Sequence, residues 1–192
     1  MNAALRAKAM LFDPLAEWAR IERESGDPAY LLSRYVAVIA VIPALFGFIG
    51  TSVIGTSVAG TGVTRTPLFD GVFGAFFGYV MACATVLVLG LLINLAAPLF
   101  DSRRDFDSAF KLAVYSFTPV WLAGVFLLLP GLRFLVLTGF YGAYLLWLGL
   151  PQLIKTPEQK SPGFAFLIVA CACLLLYLAA VLQRMVFGTP GL

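Results

Sequence analysis

The stretch that decides the fold is "LAVYSFTPVWLAGVFLLLPGLRFLVLTGFYGAYLLWLGLPQLI", residues 112–154, which contains one charged residue, Arg133. On each side of Arg133 lie about 20 uncharged residues, the length at which a helix crosses a hydrocarbon core of about 30 Å. The short connection "LPGLR" between the two halves predicts a tight turn. The sequence therefore predicts two transmembrane helices that pack antiparallel, side by side.

The same pattern recurs along the whole chain of 192 residues, of which 61% are hydrophobic and only 12% are charged. A soluble domain carries about 25% charged residues. The long uninterrupted apolar runs favour helices, because the strands of a membrane barrel alternate apolar and polar residues. We predict an all-α integral membrane protein with a five-transmembrane-helix bundle, its spans at about 35–54, 72–95, 112–129, 134–150 and 164–182.

The basic residues predict the orientation. If the N-terminus is cytoplasmic, only Arg65, Arg133 and Arg184 of the 13 lysines and arginines fall outside the cell. Such a bias follows the positive-inside rule and predicts an N-in, C-out protein of the bacterial inner membrane. It also accounts for the net charge of +3, so no nucleic-acid partner is expected. We divide the chain into a cytoplasmic segment (1–29), a membrane domain (30–187) and a short external tail (188–192).

A short amphipathic helix is predicted before the first span, in "FDPLAEWARIERES" (residues 12–25). Asp13 suits an N-cap and Pro14 the first helical position. Leu11, Leu15 and Trp18 share one helical face. The helix is expected in the membrane interface with Trp18 at headgroup level, or packed against the cytoplasmic ends of the spans.

The chain lacks most groups that catalysis or active transport needs. It contains no histidine, which excludes histidine-based acid–base chemistry and nucleophilic triads. No charged side chain lies near the centre of a span, which disfavours an ion-coupled transporter. Cys83, Cys171 and Cys173 are interpreted as small apolar fillers of the spans. We expect no enzyme activity, no cofactor and no metal site.

The main polar feature inside the membrane is a cluster on spans three and four. Pro119 lacks an N–H for the Tyr115 carbonyl, so a kink is expected there, with Ser116 or Thr118 helping to satisfy that carbonyl. Tyr141 and Tyr144 of span four are expected to face this cluster, Tyr144 meeting Tyr115 in the cytoplasmic half of the membrane. Two interpretations remain open. Either spans three and four only pack against each other at this cluster, or the cluster forms a small polar cavity or a hinge.

Other residues are candidates for packing or docking. Small residues at helical spacing predict close helix packing, internal or between two copies of the chain. Asn94 is expected to hydrogen-bond a neighbouring helix. The glycines are Gly71, Gly74 and Gly78, and the docking candidates on the cytoplasmic side are Trp18, Arg103, Arg104, Lys155 and Lys160.

Two connecting segments also carry expectations. The loop "GTSVAGTGVTRTP" after span one is rich in Gly, Ser and Thr and predicts a flexible surface loop. After span four, Pro151 and Pro157 are expected to stop the helix.

Four stretches together resemble the bacterial branch of the Yip family, the Ypt/Rab-interacting proteins. They are "DPLAEWARIERE", "IPALFGFIG", "AFKLAVYSFTPVWLAGVFLLLPGL" and "FYGAYLLWLGLPQLIKTPEQK", between Phe12 and Phe166. The resemblance implies a five-helix membrane protein with a cytoplasmic N-terminus. Eukaryotic members bind prenylated GTPases and partners of their own family. Val114 stands where their Gly-Tyr-Ser element has glycine, and a bacterium has no such GTPase system, so the fold transfers and the partner does not.

Two functional hypotheses follow. The first is a non-enzymatic scaffold or adaptor that docks a partner, or organises the membrane, through its cytoplasmic face. The second is a passive transporter, or a lipid- or small-molecule-binding protein, that uses a polar cavity between spans three and four. Membrane lipids, a protein partner at the cytoplasmic face and a second copy of the chain are the partners considered.

Overall fold

The computed structural model describes residues 3–24, 26–58 and 62–187, and the predicted external tail, 188–192, lies outside them. Five helical segments are long and apolar enough to cross a membrane. They are span one, Pro28–Ile54; span two, Leu68–Phe100; span three, Phe106–Leu128; span four, Gly131–Leu153; and span five, Ser161–Phe187. The predicted count of five spans and their order are confirmed.

Each span except span five combines several helical types. The α-helices are α1 (Ala3–Phe12), α2 (Pro14–Arg23), α3 (Pro28–Leu31), α4 (Ala37–Ile39), α5 (Val41–Phe48), α6 (Leu68–Ala96), α7 (Phe106–Ser116), α8 (Thr118–Ala123), α9 (Tyr141–Leu153) and α10 (Ser161–Phe187). Span one also contains π-helical turns at Leu32–Val36 and Ile49–Ile54. Segments of 3-10 helix occupy Ala97–Phe100, Gly124–Leu128 and Pro130–Phe140.

Span three lies at the centre of the bundle. It contacts spans one, two and four and the N-terminal helix α1, whereas span five contacts spans two and four. Of the most apolar 18 residues in each, 67% are buried in span three and 11% in span five. Span three therefore forms the core of the protein, and most of span five faces outward.

The break at Pro119 is present. Helix α7 ends at Ser116 and α8 begins at Thr118, with Phe117 between them. The expected compensation by hydroxyl groups is wrong, because Ser116 Oγ is buried with no hydrogen-bond partner in the described part of the chain and Thr118 Oγ1 lies 2.8 Å from Tyr35 Oη. Backbone hydrogen bonds remain on both sides of the break: Phe117 N donates to Ala113 O at 3.1 Å, and Trp121 N donates to Phe117 O at 3.2 Å.

Two connecting segments differ from expectation. Helix α9 continues through Pro151 to Leu153, since a proline removes only one helical hydrogen bond, and Lys155 with a positive φ of 56° then turns the chain. The loop after span one contains a two-stranded antiparallel ribbon, β1 (Thr56–Val58) and β2 (Gly62–Thr64). Backbone pairing, which glycine and threonine content does not exclude, therefore orders part of this loop.

The glycines of span two face other spans of the same chain. A Cβ on Gly71 would lie 2.1 Å from Ser52 Oγ, so this glycine permits close contact with the end of span one. Gly74 accepts a hydrogen bond of 3.2 Å from Gln183 Nε2 of span five, and Gly78 lies beside the same amide. Asn94 does not form the expected interhelical bond, because its Oδ1 is buried with no partner among the described residues.

Candidate functional site

The N-terminal helices fold back onto the bundle. A helix is present at the expected place, since Asp13 Oδ1 accepts from Ala16 N at 3.4 Å and Pro14 begins α2. Of the two positions expected for this helix, packing against the ends of the spans fits better than contact with lipid headgroups, because the Trp18 side chain is fully buried. A Cβ on Gly149 would lie 2.9 Å from the indole, so the glycine makes room for Trp18 against span four. Trp18 is therefore a packing residue and not an exposed docking residue.

A buried ionic cluster joins α1 to α2. Arg6 Nη1 lies 2.7 Å from Glu17 Oε1, and Arg6 Nη2 lies 2.6 Å from both carboxylate oxygens of Glu24. Arg6 and Glu17 are 6% and 2% exposed. Burial lowers the pKa of Arg6, but the hydrogen bond to Glu24 and the nearby carboxylates outweigh it, and the pKa is raised overall. Arg6 therefore stays charged and holds the two helices together.

Lys111 of span three binds the end of α2. Its Nζ donates to Glu24 O at 2.5 Å and to Ile21 O at 3.3 Å, and the residue is 9% exposed. The last carbonyls of a helix have no partner within it and carry partial negative charge. A cation from the core of the bundle thus satisfies the carbonyl end of α2.

In the two helical turns that follow Lys111 in span three, aromatic and hydroxyl groups connect this span to span one. The Tyr115 ring lies 4.9 Å from the Tyr35 ring and 6.3 Å from Trp18, centroid to centroid. The guanidinium carbon of Arg6 lies 5.6 Å from the Tyr115 centroid, a cation–π distance. Together with the Tyr35–Thr118 contact, these distances place Tyr115 and Thr118 against span one and the N-terminal helices.

The predicted meeting of Tyr115 with Tyr144 does not occur. Tyr144 is 43% exposed, and its ring neighbours are Tyr141 and Trp147. Tyr141 instead donates through its hydroxyl to Leu11 O of α1 at 3.1 Å. The tyrosines of span four therefore bind α1 or face outward, because spans three and four pack through small residues. A Cβ on Gly142 would lie 2.4 Å from Ser116 O.

Two cavities lie beside span three. The first, of about 150 Å³, lies between the N-terminal segment and spans one and three. Its charged lining contains as many cations as carboxylates: Arg6, Arg34, Lys111, Glu24, Asp27 and Asp107. The second, of about 200 Å³, lies among spans two to five and is lined by apolar groups apart from Ser116 and Cys173. Of the two interpretations left open for spans three and four, a polar cavity does not fit this lining, because the cavity beside them is apolar.

The two loops on the side of the N-terminal helices are tied together. Arg103 N donates to Ile154 O at 2.8 Å, and Ser102 Oγ lies 2.8 Å from Thr156 Oγ1. Among the docking candidates, Lys155 forms an ion pair with Glu22 of α2 and Lys160 with Asp101, whereas Arg103 and Arg104 are exposed. We call the surface formed by α1, α2 and loops 101–105 and 154–160 the N-terminal face.

Several residues of the cluster were missed from the sequence. Sequence patterns did not single out Arg6, Lys111, Tyr35, Glu17 or Glu24 as members of a cluster. One signal was available: Glu24, the residue after α2, lies seven residues beyond Glu17, a spacing of two helical turns that favours the same side. No pattern indicated that Arg6 would reach both.

Comparisons with known proteins agree with the fold. The Yip1 domain family matches residues 8–181, which include α2 and its contacts with the bundle. The chain is 28% identical over 179 residues to the inner membrane protein YohC of Escherichia coli K12, covering 91% of this chain and 92% of that protein. YohC of E. coli O6:H1 matches equally. No solved structure matches. The chain therefore belongs to the Yip family, in its bacterial branch, and is a multi-pass inner-membrane protein.

Proposed function

We propose that the protein is a non-enzymatic scaffold of the inner membrane that docks an acidic protein partner on its N-terminal face. The observation that carries the proposal is the exposure of two adjacent arginines, Arg103 and Arg104, on a loop fixed to its neighbours. Guanidinium groups bind carboxylates through paired hydrogen bonds and suit this kind of recognition.

The rigidity of the N-terminal face supports the proposal. Trp18, Arg6 and Lys111 hold α2 on the bundle, and Lys155 joins it to the loop after span four. A surface that is ordered before binding loses little conformational freedom when a partner docks. The face is therefore suited to binding without rearrangement.

The arginine pair has little competition within the chain. The nearest carboxylate to Arg103 is Asp105, at 3.9 Å, and the side chain of Arg104 has no hydrogen bond or ion pair with residues 3–24, 26–58 or 62–187. Lys155 and Lys160, by contrast, are paired with Glu22 and Asp101. Arg103 and Arg104 are thus the basic groups that we propose for contact with a partner.

The proposal requires the N-terminal face to be cytoplasmic, as the positive-inside bias predicts. Two single-cysteine variants test this orientation, Arg104→Cys and Arg65→Cys, each made in a chain from which Cys83, Cys171 and Cys173 have been removed. Their labelling by a membrane-impermeant maleimide is measured. In intact spheroplasts the cysteine at position 65 should react and that at 104 should not, and detergent should expose both. The reverse pattern contradicts the orientation.

Site-specific photocrosslinking tests the docking. Leu99 is 76% exposed beside the arginine loop, and a photoreactive residue there should capture a discrete partner. With the identified partner purified, Arg103→Glu/Arg104→Glu should weaken binding at least tenfold, and the affinity should fall with added salt. Arg184→Glu, an exposed arginine at the far end of span five, is the matched control and should change binding less than twofold. Equal effects of both variants, or the absence of a crosslink, would overturn the proposal.

The alternative function is passive transport, or binding of a lipid or a small molecule, through a polar cavity between spans three and four, and it lacks the polar lining that it needs. The cavity in that position is lined by apolar side chains, and a polar solute would lose its hydration there without replacement. The cavity is suited to hydrocarbon, which leads to a separate inference.

A further inference from the structure

The apolar cavity lies near the middle of three spans. Ser116, Gly142 and Ala172 all line it, and each stands close to the midpoint of span three, four or five. A hydrocarbon core of about 30 Å surrounds these positions when the spans cross a membrane. The surroundings of the cavity are therefore lipid tails and not water.

The cavity has a buried wall and an exposed rim. Leu89, Leu146 and Ile168 form part of the wall and are 2%, 3% and 1% exposed. Leu137 and Phe140, at the rim, are 65% and 59% exposed. Because the rim residues face outward from the bundle, the cavity opens sideways toward the lipid.

The opening lies between span five and the closely packed pair of spans three and four. Spans three and four touch at Gly139 and Gly142, where an added Cβ would lie 3.1 Å from Val120 Cα and 2.4 Å from Ser116 O. Span five contributes small side chains at the gap, Ala172 and Cys173. The two small side chains leave room between span five and the tight crossing of spans three and four.

We propose that this cavity binds the acyl chain of a membrane phospholipid, which enters between spans four and five. At about 200 Å³ it exceeds the volume of about 150 Å³ at which an apolar protein cavity accepts benzene, so several methylene groups fit. The side chains that line an empty apolar cavity lack dispersion contacts on one side, and a bound hydrocarbon chain restores those contacts. The bound chain would join the loosely packed span five to the core.

Photolabelling in a defined bilayer tests the proposal. The full chain is reconstituted in vesicles of phosphatidylethanolamine and phosphatidylglycerol that contain a phospholipid with a diazirine midway along one acyl chain. Leu146 and Ile168 are buried, so they can be labelled only if a chain enters the cavity. We expect mass spectrometry to find label on these two residues as well as on Tyr177, which is 67% exposed to bulk lipid.

Variants of the cavity separate entry from general contact with lipid. Ala172→Phe and, on the opposite wall, Ala143→Leu should each lower the labelling of Ile168 at least fivefold and leave that of Tyr177 unchanged. Ala170→Phe, an exposed position on the same helix, is the control and should change neither. Ser116→Ala should also leave labelling unchanged, because hydrocarbon needs no hydroxyl.

Three outcomes would overturn the proposal. The first is the absence of label on Leu146 and Ile168 in the wild-type protein. The second is unchanged labelling of Ile168 in Ala172→Phe and Ala143→Leu. The third is loss of the Ile168 label in Ser116→Ala, which would indicate a polar ligand. The labelling of Tyr177 reports that each variant remains inserted, so a lost signal at Ile168 is not mistaken for loss of the fold.

Discussion

Span five is more apolar than span three, yet span three is the one that the protein buries. Span three is surrounded by spans one, two and four and by α1, and 67% of its most apolar stretch is buried. Span five contacts two neighbours, and 11% of its corresponding stretch is buried. Between helices in lipid there is no hydrophobic driving force, so polar contacts and close packing decide which helix becomes the core. Span three has Lys111, Tyr115 and Thr118 for this purpose.

The largest expected effect comes from removing the indole that packs beside span three. Trp18→Ala should lower the free energy of unfolding by about 4 kcal/mol, since a fully buried aromatic side chain leaves a large cavity. Trp147→Ala, at a tryptophan that is 45% exposed, should cost far less. Denaturation by SDS in mixed micelles measures both. Equal losses of unfolding free energy in the two variants would mean that burying Trp18 stabilises the protein no more than the contact of Trp147 with lipid.

The buried ion pair should follow in size. Arg6→Met should destabilise the protein by about 3 kcal/mol, because it leaves the Glu17 carboxylate buried without its closest partner. Arg184→Met, at an exposed arginine of span five, is the matched control and should be within about 0.5 kcal/mol of wild type. Proteolysis after α2 should accelerate only in Arg6→Met. A stable Arg6→Met protein would show that the cluster does not hold the N-terminal helices.

The hydrogen bond between spans one and three should have a smaller effect. Tyr35→Phe leaves Thr118 Oγ1 buried without its 2.8 Å partner and should cost about 1 kcal/mol. Tyr177→Phe removes the hydroxyl of an exposed tyrosine on span five and should cost nothing measurable. The same SDS titration compares the two. A neutral Tyr35→Phe would indicate that ring packing alone joins these spans.

The smallest change in stability is expected at Pro119. Pro119→Ala restores an N–H for the Tyr115 carbonyl, so α7 and α8 should merge into one straighter helix, with stability within about 1 kcal/mol of wild type. Pro162→Ala, in the first turn of span five, should leave helix geometry unchanged. Amide hydrogen exchange at residue 119 and a structure of the variant provide the measurement. A persistent break would assign it to tertiary packing and not to the proline.

Several features followed from the sequence because they depend on local or cumulative properties. The five spans follow from the intervals between charged residues, and the cap of α2 from Asp13 and Pro14. The break near Pro119 follows from the missing N–H of a proline. In each case the deciding interactions lie within a few residues along the chain, so the local sequence is sufficient.

The candidate site was only partly predictable, because its partners are distant in the chain. Arg6 meets Glu24, and Lys111 meets the end of α2, across 18 and 87 residues. The residues around Tyr115 were correctly recognised as unusual, but the choice of Tyr144 as neighbour was wrong. Helical periodicity gives the face of a residue on its own helix, not which helix lies opposite.

The sequence by itself determined that this is a five-span membrane protein of the Yip family, with an α-helix before the first span. Only the tertiary structure decided that Trp18 is buried, that the cavity among spans two to five is apolar, and that span three is the core. The reason is physical. Crossing a membrane requires a length and a composition that any single helix displays, whereas burial depends on which surfaces meet in three dimensions.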